Sequence, residues 1–425
     1  MSSQRVKLHI ISKSIYVLCI FLYLCVINGT LPPHKLKRMR DLLTALLPLC
    51  ISFIAVAIAH PHLVRLAKEK NIVDNPNTRK LQLRPVPVLG GIAIFFGIII
   101  GTVAGWAIID CSSLLGVFAA MMIMTYVGAT DDILDISAGS RFVAQIIAVL
   151  ILIYAGDLSL NNFHGLWGIE QLPYAATIAL TIVAVVGIIN SLNLIDGVDG
   201  LFSLYCTCIC AIFATIFYSQ NDVQLFVLAV AACGSLIPFM LHNAFGKSSK
   251  MFAGDSGSLL MGVIISTFVM EIISNPIYDN FAEQHNIGLV PFAFALLSIP
   301  VFDTLRVMMA RIFKGGSPLV GDKTHLHHMF IGLGFSHIGT AICVVLLNML
   351  IIGIWWLTTL AGASVDVQFY VVVGCALLID CGLYYTVEWL DRQIPERMER
   401  FREWKRNARP NRKYFQSVQK FVDKL

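Results

Sequence analysis

Five polar stretches interrupt an otherwise apolar chain, and each carries residue types suited to phosphate or cation chemistry. The stretch NSLNLIDGVDGL, residues 190–201, supplies Asn190, Asn193, Asp196 and Asp199 between two apolar runs. Carboxylates at the end of a membrane span are expensive and are usually retained for function. Asp-Gly pairs favour tight turns, because Gly tolerates positive φ and Asp bonds local backbone. This stretch reads as a polar turn offering carboxylates and amides to a phosphorylated ligand. A helix-capping loop is the plainer alternative, outweighed by the density of Asn and Asp.

The stretch GATDDILDISAGSRF places Asp131, Asp132 and Asp135 within about a turn of one another, with no basic residue before Arg141. Such carboxylates repel unless a cation joins them, and Mg2+ suits carboxylate, water and phosphate oxygens. In HNAFGKSSKMFAGDSGS, Asn243, Lys247, Lys250 and Phe252 precede Asp255 at the start of an apolar helix. A Gly-flanked Asp there is a good N-cap, and equally a good place for a metal or phosphate. Capping alone calls for neither the aromatic nor the two lysines. The segment 61–87 carries Lys80 among basic residues able to attract anionic headgroups or phosphates. Its prolines, Pro76, Pro85 and Pro87, argue against a continuous helix. The segment 306–338 reads as a long basic loop with Arg311 and three histidines, His325, His327 and His328. Their spacing is not that of a zinc motif and no Cys is near, so they read as donors to phosphate.

The elements that position these groups follow from composition. The chain has 425 residues, 57% hydrophobic and 13% charged, and a mean hydropathy of +0.76. A soluble domain carries about 25% charged residues, so this is an all-α polytopic membrane protein. Eleven apolar runs lie between residues 42 and 387, the third and fourth short for a span. Between Pro85 and Val387 the only basic residues are Arg141, Lys247, Lys250, Arg306, Arg311, Lys314 and Lys323, all at one set of alternate loops. The positive-inside rule makes that set cytoplasmic, and all five polar stretches belong to it. Gly97, Gly101 and Gly105 recur every four residues and predict a close helix-packing face.

Three parts follow: an extension over 1–38, a multi-span domain over 39–387, and a basic cytoplasmic tail over 388–425. Met39 offers an alternative start, and a span within 1–38 would leave a basic cluster outside. The tail interleaves basic residues with Phe401, Trp404, Tyr414 and Phe415, as an amphipathic segment lying on anionic lipid does. Tethered to a membrane domain, it points away from nucleic acid. The cysteines, Cys206, Cys208 and Cys210 among them, fall mostly inside apolar runs and read as packing residues.

Taken together, DNPNTRKLQLRPVPVLGG, Asp131–Asp132, NSLNLIDGVDGL, FAGDSGS and GDKTHLHHMF resemble, in order, the motifs of the polyprenyl-phosphate N-acetylhexosamine-1-phosphate transferases, of glycosyltransferase 4 type. The likeness runs from about 42 to 385. The H-x-H-H segment and the basic tail are most similar to the bacterial undecaprenyl-phosphate N-acetylglucosamine-1-phosphate branch. Gln82 departs from the family, which often has His there. The resemblance implies transfer of GlcNAc-1-phosphate from UDP-GlcNAc to undecaprenyl phosphate, giving undecaprenyl-diphosphate-GlcNAc and UMP. It implies Mg2+, with Mn2+ able to substitute, and an active site on the cytoplasmic face of a bacterial inner membrane. Asp255 would be the direct metal ligand. Asp131 and Asp132 would hold metal and lipid phosphate, and Asp196 and Asp199 would act with them in catalysis. Asn190, Asn193 and Asn243 would line the donor site and Phe252 would stack on uracil. Lys80, Arg311, His325, His327 and His328 would contact phosphate or sugar. The resemblance also implies a homodimer, which no spacing requires. Other UDP-N-acetylhexosamines, UDP-MurNAc-pentapeptide, and a transporter of a different class are the alternatives.

Overall fold

In hydrocarbon every backbone N–H and C=O must be satisfied within the segment, so the long apolar runs of this chain become helices. A computed structural model describes residues 33–76, 82, 84–317, 324–407 and 412–423. The expected extension therefore falls mostly outside the described residues, as does Lys80. The helices are α1 (Pro33–Glu69), α2 (Gly90–Trp106), α3 (Leu115–Leu134), α4 (Ala138–Gly156), α5 (Tyr174–Leu194), α6 (Leu201–Ser219), α7 (Val223–Phe245) and α8 (Gly254–Ser274). They continue with α9 (Asp279–Gln284), α10 (Leu289–Leu296), α11 (Ser298–Phe313), α12 (Leu326–Gly332), α13 (His337–Leu360), α14 (Val365–Leu377), α15 (Tyr384–Gln393), α16 (Pro395–Asn407) and α17 (Arg412–Val422).

Among the described residues, nine helical stretches are long and apolar enough to cross a membrane. A tenth crossing is a bent pair, α10 and α11, and the 17-residue α2 is shorter. The eleven apolar runs thus each find a helical counterpart, and the all-α multi-span reading holds. The central rod is α8, with 94% of its apolar window buried, against 22% for α1 and α4. A helix apolar all round belongs inside a bundle. The predicted glycine face is real: a Cβ on Gly97 would meet Val56 at 2.4 Å and one on Gly101 would meet Ser52 at 1.8 Å.

The bend is the main departure from a continuous ninth span. Its helices turn by 73° at Leu297. The freed backbone groups are taken up by Asn348 of α13, which is fully buried. Its Oδ1 accepts from the Ile299 N–H at 3.1 Å and from the Ser298 hydroxyl at 3.0 Å. Its Nδ2 donates to the Leu296 carbonyl at 3.0 Å, which also accepts the Tyr205 hydroxyl at 2.6 Å.

Two segments expected to be loop or tail are more ordered than that. The 306–338 segment is helical through Phe313 and again over α12, because its first turns continue the apolar face of α11. The tail folds into α16 and α17 and returns to the bundle. Arg402 pairs with Asp391 at 2.5 Å, and Lys405 lies 4.0 Å over the Phe335 ring. Phe401, Trp404 and Phe421 remain exposed. The segment after α1 is not helical, as its prolines predict, and forms a short antiparallel pair, Val73–Asp74 with Val86–Pro87.

Candidate active site

The ends of α3, α5 and α7 and the starts of α4, α6 and α8 meet at one end of the bundle, and the polar stretches meet with them. Close approach is set by small residues. A Cβ on Gly128 of α3 would come within 2.4 Å of the Ser256 nitrogen, so Gly there lets α3 touch the first turn of α8. Gly254 has φ +70°, and a Cβ on it would strike the Asp132 carboxylate at 2.5 Å.

Asp255 does not cap its own helix. It lies in the first turn of α8, and the cap comes from α3. Asp132 Oδ1 accepts the Asp255 N–H at 2.8 Å, and Oδ2 accepts the Ser256 N–H at 3.1 Å and the Ser256 hydroxyl at 3.0 Å. These bonds use the orphan donors and positive end of the α8 dipole. They leave the Asp255 side chain for other work. Its Oδ1 accepts from Asn193 Nδ2 at 2.5 Å. Its Oδ2 lies 3.2 Å from Arg141 Nη1, which also holds Asp131 Oδ2 at 2.7 Å. One guanidinium nitrogen thus joins two carboxylates from different helices. Asp131 Oδ1 accepts the Ile136 N–H at 2.9 Å. Asp135, the third carboxylate of its stretch, is exposed with φ 52°, so it ends α3 and does not join the cluster.

Asp196 stands in the midst of these groups, and its carboxylate makes no hydrogen bond to a described residue. Burial, then the charges of Asp255, Asp132 and Asp199, push it well above the ordinary carboxylate range. Asp199 differs. Burial pushes it upward, but His337 at 2.8 Å and Lys250 at 2.5 Å outweigh that and hold it low. Five carboxylates here face two permanent cations among the described residues, Arg141 and Lys250.

The histidine segment closes one wall. His327 is 3% exposed, and a Cβ on Gly197 would meet its Nε2 at 2.6 Å. Burial and then His328 hold His327 down to about 3, so it is neutral near pH 7. His325 turns away from the aspartates: its Nδ1 lies 2.9 Å from Asp303 Oδ2 in α11. Asp303 also takes Arg306 Nη2 at 2.6 Å and the Leu326 N–H at 3.0 Å, fastening the histidine segment to α11. His328 is partly buried beside His327, ring centroids 4.4 Å apart.

The other expected site residues have partners of their own in the fold. Asn190 pairs with Gln145, donating at 2.9 Å, and with the Val186 carbonyl. Asn243 clamps the turn, accepting the Gly200 N–H at 2.6 Å and donating to the Met251 carbonyl at 3.0 Å. Phe252 is pinned through its backbone between Pro87 and Gly90, with Lys250 Nζ 5.5 Å from its ring. Arg311 lies in the last turn of α11. Gln82 donates to Asp74 at 2.6 Å, bracing the loop.

Residues that pattern reading passed over include Arg141, His337 and Asp303. Asp303 had a signal: an Asp three residues before an Arg inside an apolar run is an intramembrane ion pair. His337 had none, since it approaches Asp199 only through the fold.

Comparison with known proteins agrees with the motifs. Residues 114–273 match the family model described as glycosyl transferase family 4. The chain is 28% identical over 381 residues to the undecaprenyl-phosphate alpha-N-acetylglucosaminyl 1-phosphate transferase of Salmonella typhi, covering 87% of this chain and 99% of that protein. The Yersinia pestis protein of the same name is 29% identical over 277 residues, 64% of this chain and 73% of its own. The Escherichia coli K12 protein is 28% identical over 278 residues, 64% and 72%. The resemblance read from the motifs is borne out.

Proposed function

We propose that this chain transfers GlcNAc-1-phosphate from UDP-GlcNAc to undecaprenyl phosphate at the cytoplasmic face of a bacterial inner membrane. An oxygen of the lipid phosphate attacks the sugar-bearing phosphorus. A new diphosphate bond forms, the bond to the bridging oxygen breaks, and UMP leaves with it. The observation that carries the reading is the convergence of Asp131 and Asp255, from separate helices, on the single Arg141 nitrogen.

The donors gathered there are all oxygens, and two carboxylates already reach one positive centre. They fit Mg2+, and Mn2+ by the same chemistry, better than zinc. Asp131 and Asp255 would hold the ion, and Asp132, engaged in capping α8, would support them. When bound, it would neutralise phosphate charge as the two anions approach. The chain's own residues do the rest by alignment and electrostatics, as phosphoryl transfer requires. Asn193 fixes Asp255. Lys250 and His337 fix Asp199. Neutral His327 against Gly197 can donate or accept at the donor's phosphates without adding a charge. The lipid phosphate has a second pKa of about 6 and needs little help from a base. Asp131 holds Arg141 with one oxygen and a backbone N–H with the other, which suits an orienting strut better than a base.

A transporter also breaks helices, but places substrate groups at the break. Here the α10–α11 break is filled by Asn348 and Tyr205, which favours the enzyme. The test is UMP release from purified protein, given UDP-GlcNAc, UDP-GalNAc or UDP-MurNAc-pentapeptide, with and without Mg2+ and undecaprenyl phosphate. Release with UDP-GlcNAc that needs both additions supports the proposal. No release, or labelled counterflow in vesicles instead, overturns it.

A further inference from the structure

The segment 246–250 connects α7 to Met251 and Phe252 and carries Lys250 to Asp199. It lacks secondary structure of its own, so side chains from elsewhere must fix it. His60 Nε2 lies 2.7 Å from the Ser249 carbonyl, Lys68 donates to the Ser248 carbonyl at 2.7 Å, and His242 Nδ1 lies 2.9 Å from the Ser249 hydroxyl. These contacts hold carbonyls and the hydroxyl. The N–H groups are held from the far end of the chain. Asp423 Oδ1 accepts from the backbone N–H groups of Lys247 at 3.0 Å, Ser248 at 3.1 Å and Ser249 at 3.1 Å, and from the Ser249 hydroxyl at 2.8 Å. Successive N–H groups closing on one carboxylate form an anion nest.

The helix that delivers this carboxylate is fastened independently. Val422 is 2% exposed, and the Phe415 ring lies 6.2 Å from that of Phe245 at the end of α7. Slight burial pushes Asp423 upward, but the Ser249 hydroxyl and the three N–H groups outweigh it and hold it at about 2. It is therefore ionised, and charge-assisted, at any working pH.

We propose that Asp423 is a positioning residue for the candidate active site: by clamping the backbone of Lys247–Ser249 it aims Lys250 at Asp199. The proposal rests on the transferase reading of that site. Asp423 touches no reacting group; it acts through Lys250. The C-terminal helix is thereby part of the machinery that sets the electrostatics around the 190–201 turn.

The experiment uses the full-length protein in nanodiscs, with Asp423→Ala, Lys250→Ala and the double variant. Asp423→Asn, nearly isosteric, replaces Asp423→Ala if the latter fails to fold. Asp423→Ala is expected to lower kcat/KM for UDP-GlcNAc about tenfold, the scale of a lost charge-assisted bond. The double variant is expected to match Lys250→Ala, because a residue acting through another adds nothing once that one is gone. Hydrogen exchange at the 247–249 amides is expected to quicken about tenfold in Asp423→Ala. Wild-type activity in Asp423→Ala, additive losses in the double variant, or unchanged amide exchange would each overturn the proposal. An inactive wild-type protein whose 247–249 amides lose protection in Asp423→Ala would sink the transferase reading and leave the clamp standing.

Discussion

His327 Nε2 sits where the Cβ of any residue larger than Gly at position 197 would have to go, at 2.6 Å. The histidine segment and the Asp-Gly turn are therefore one wall of the site. Gly197→Ala should displace His327 and leave the fold intact. Overpacking of this kind costs about 1–3 kcal/mol, and that cost falls on the wall. We expect kcat/KM for UDP-GlcNAc to drop at least about tenfold, with a melting temperature in detergent lowered by only a few degrees. Unchanged kinetics would show that the wall is not in contact with the donor.

Arg141 occupies the point where two carboxylates meet, at 2.7 and 3.2 Å. A divalent ion drawn to the same oxygens must compete with it. Arg141→Gln is expected to lower the Mg2+ concentration giving half-maximal activity severalfold while also lowering the maximum rate. A Mg2+ titration of UMP release measures both. A rise in that concentration would mean that Arg141 helps to bind the ion.

His327 gives a pH dependence with a definite sign. Its folded value is about 3, lowered chiefly by burial, against an unfolded value of 6.5. Below 6.5 the unfolded chain takes up a proton that the folded protein refuses. The contribution to stability is present above 6.5 and is lost as pH falls toward 3. At pH 4.5 the loss amounts to about 2–3 kcal/mol. Between pH 7.5 and 4.5 the melting temperature of wild type should fall more steeply than that of His327→Gln, the difference between them shifting steadily against wild type below pH 6.5. Parallel curves would contradict the assignment.

Asn348→Ala removes the side chain that seals the α10–α11 bend, orphaning the buried Ile299 N–H and loosening the Leu296 carbonyl. Each unsatisfied buried group costs about 1–3 kcal/mol. We expect a marked fall in melting temperature for Asn348→Ala and for Asn348→Leu alike. Melting of both variants at the wild-type temperature would remove Asn348 from its sealing role.

Much of this was legible in the residues. Apolar runs announced the spans, because length and hydropathy suffice for a helix in hydrocarbon. The aspartate-bearing stretches were readable because carboxylates are conspicuous at span ends. Partner choice was not readable. Nothing in DDILD says that Asp132 caps α8 from another helix while Asp135 ends its own in a left-handed turn. Asn190 and Asn193 look alike in sequence, yet one pairs with Gln145 of α4 and the other, nearly a turn closer to the end of α5, with Asp255 in the first turn of α8, a choice made by the neighbouring helices and not by local spacing. The bend at Leu297 was hidden for a related reason. Its seal comes from Asn348, some fifty residues later in the chain.

That separation orders events during synthesis. Helices α10 and α11 leave the ribosome before α13, so the bent crossing exists for a time with its break unsealed. In lipid such a break is not tolerated alone. The pair must then wait at the water interface, or beside Tyr205 of α6, until α13 arrives with Asn348. Insertion of this part of the chain is thus a joint event of three helices rather than a succession of single crossings. A ribosome stalled between α11 and α13 should hold the α10–α11 pair open to water-soluble thiol reagents at cysteines introduced near Leu297, and release of the stall should close it.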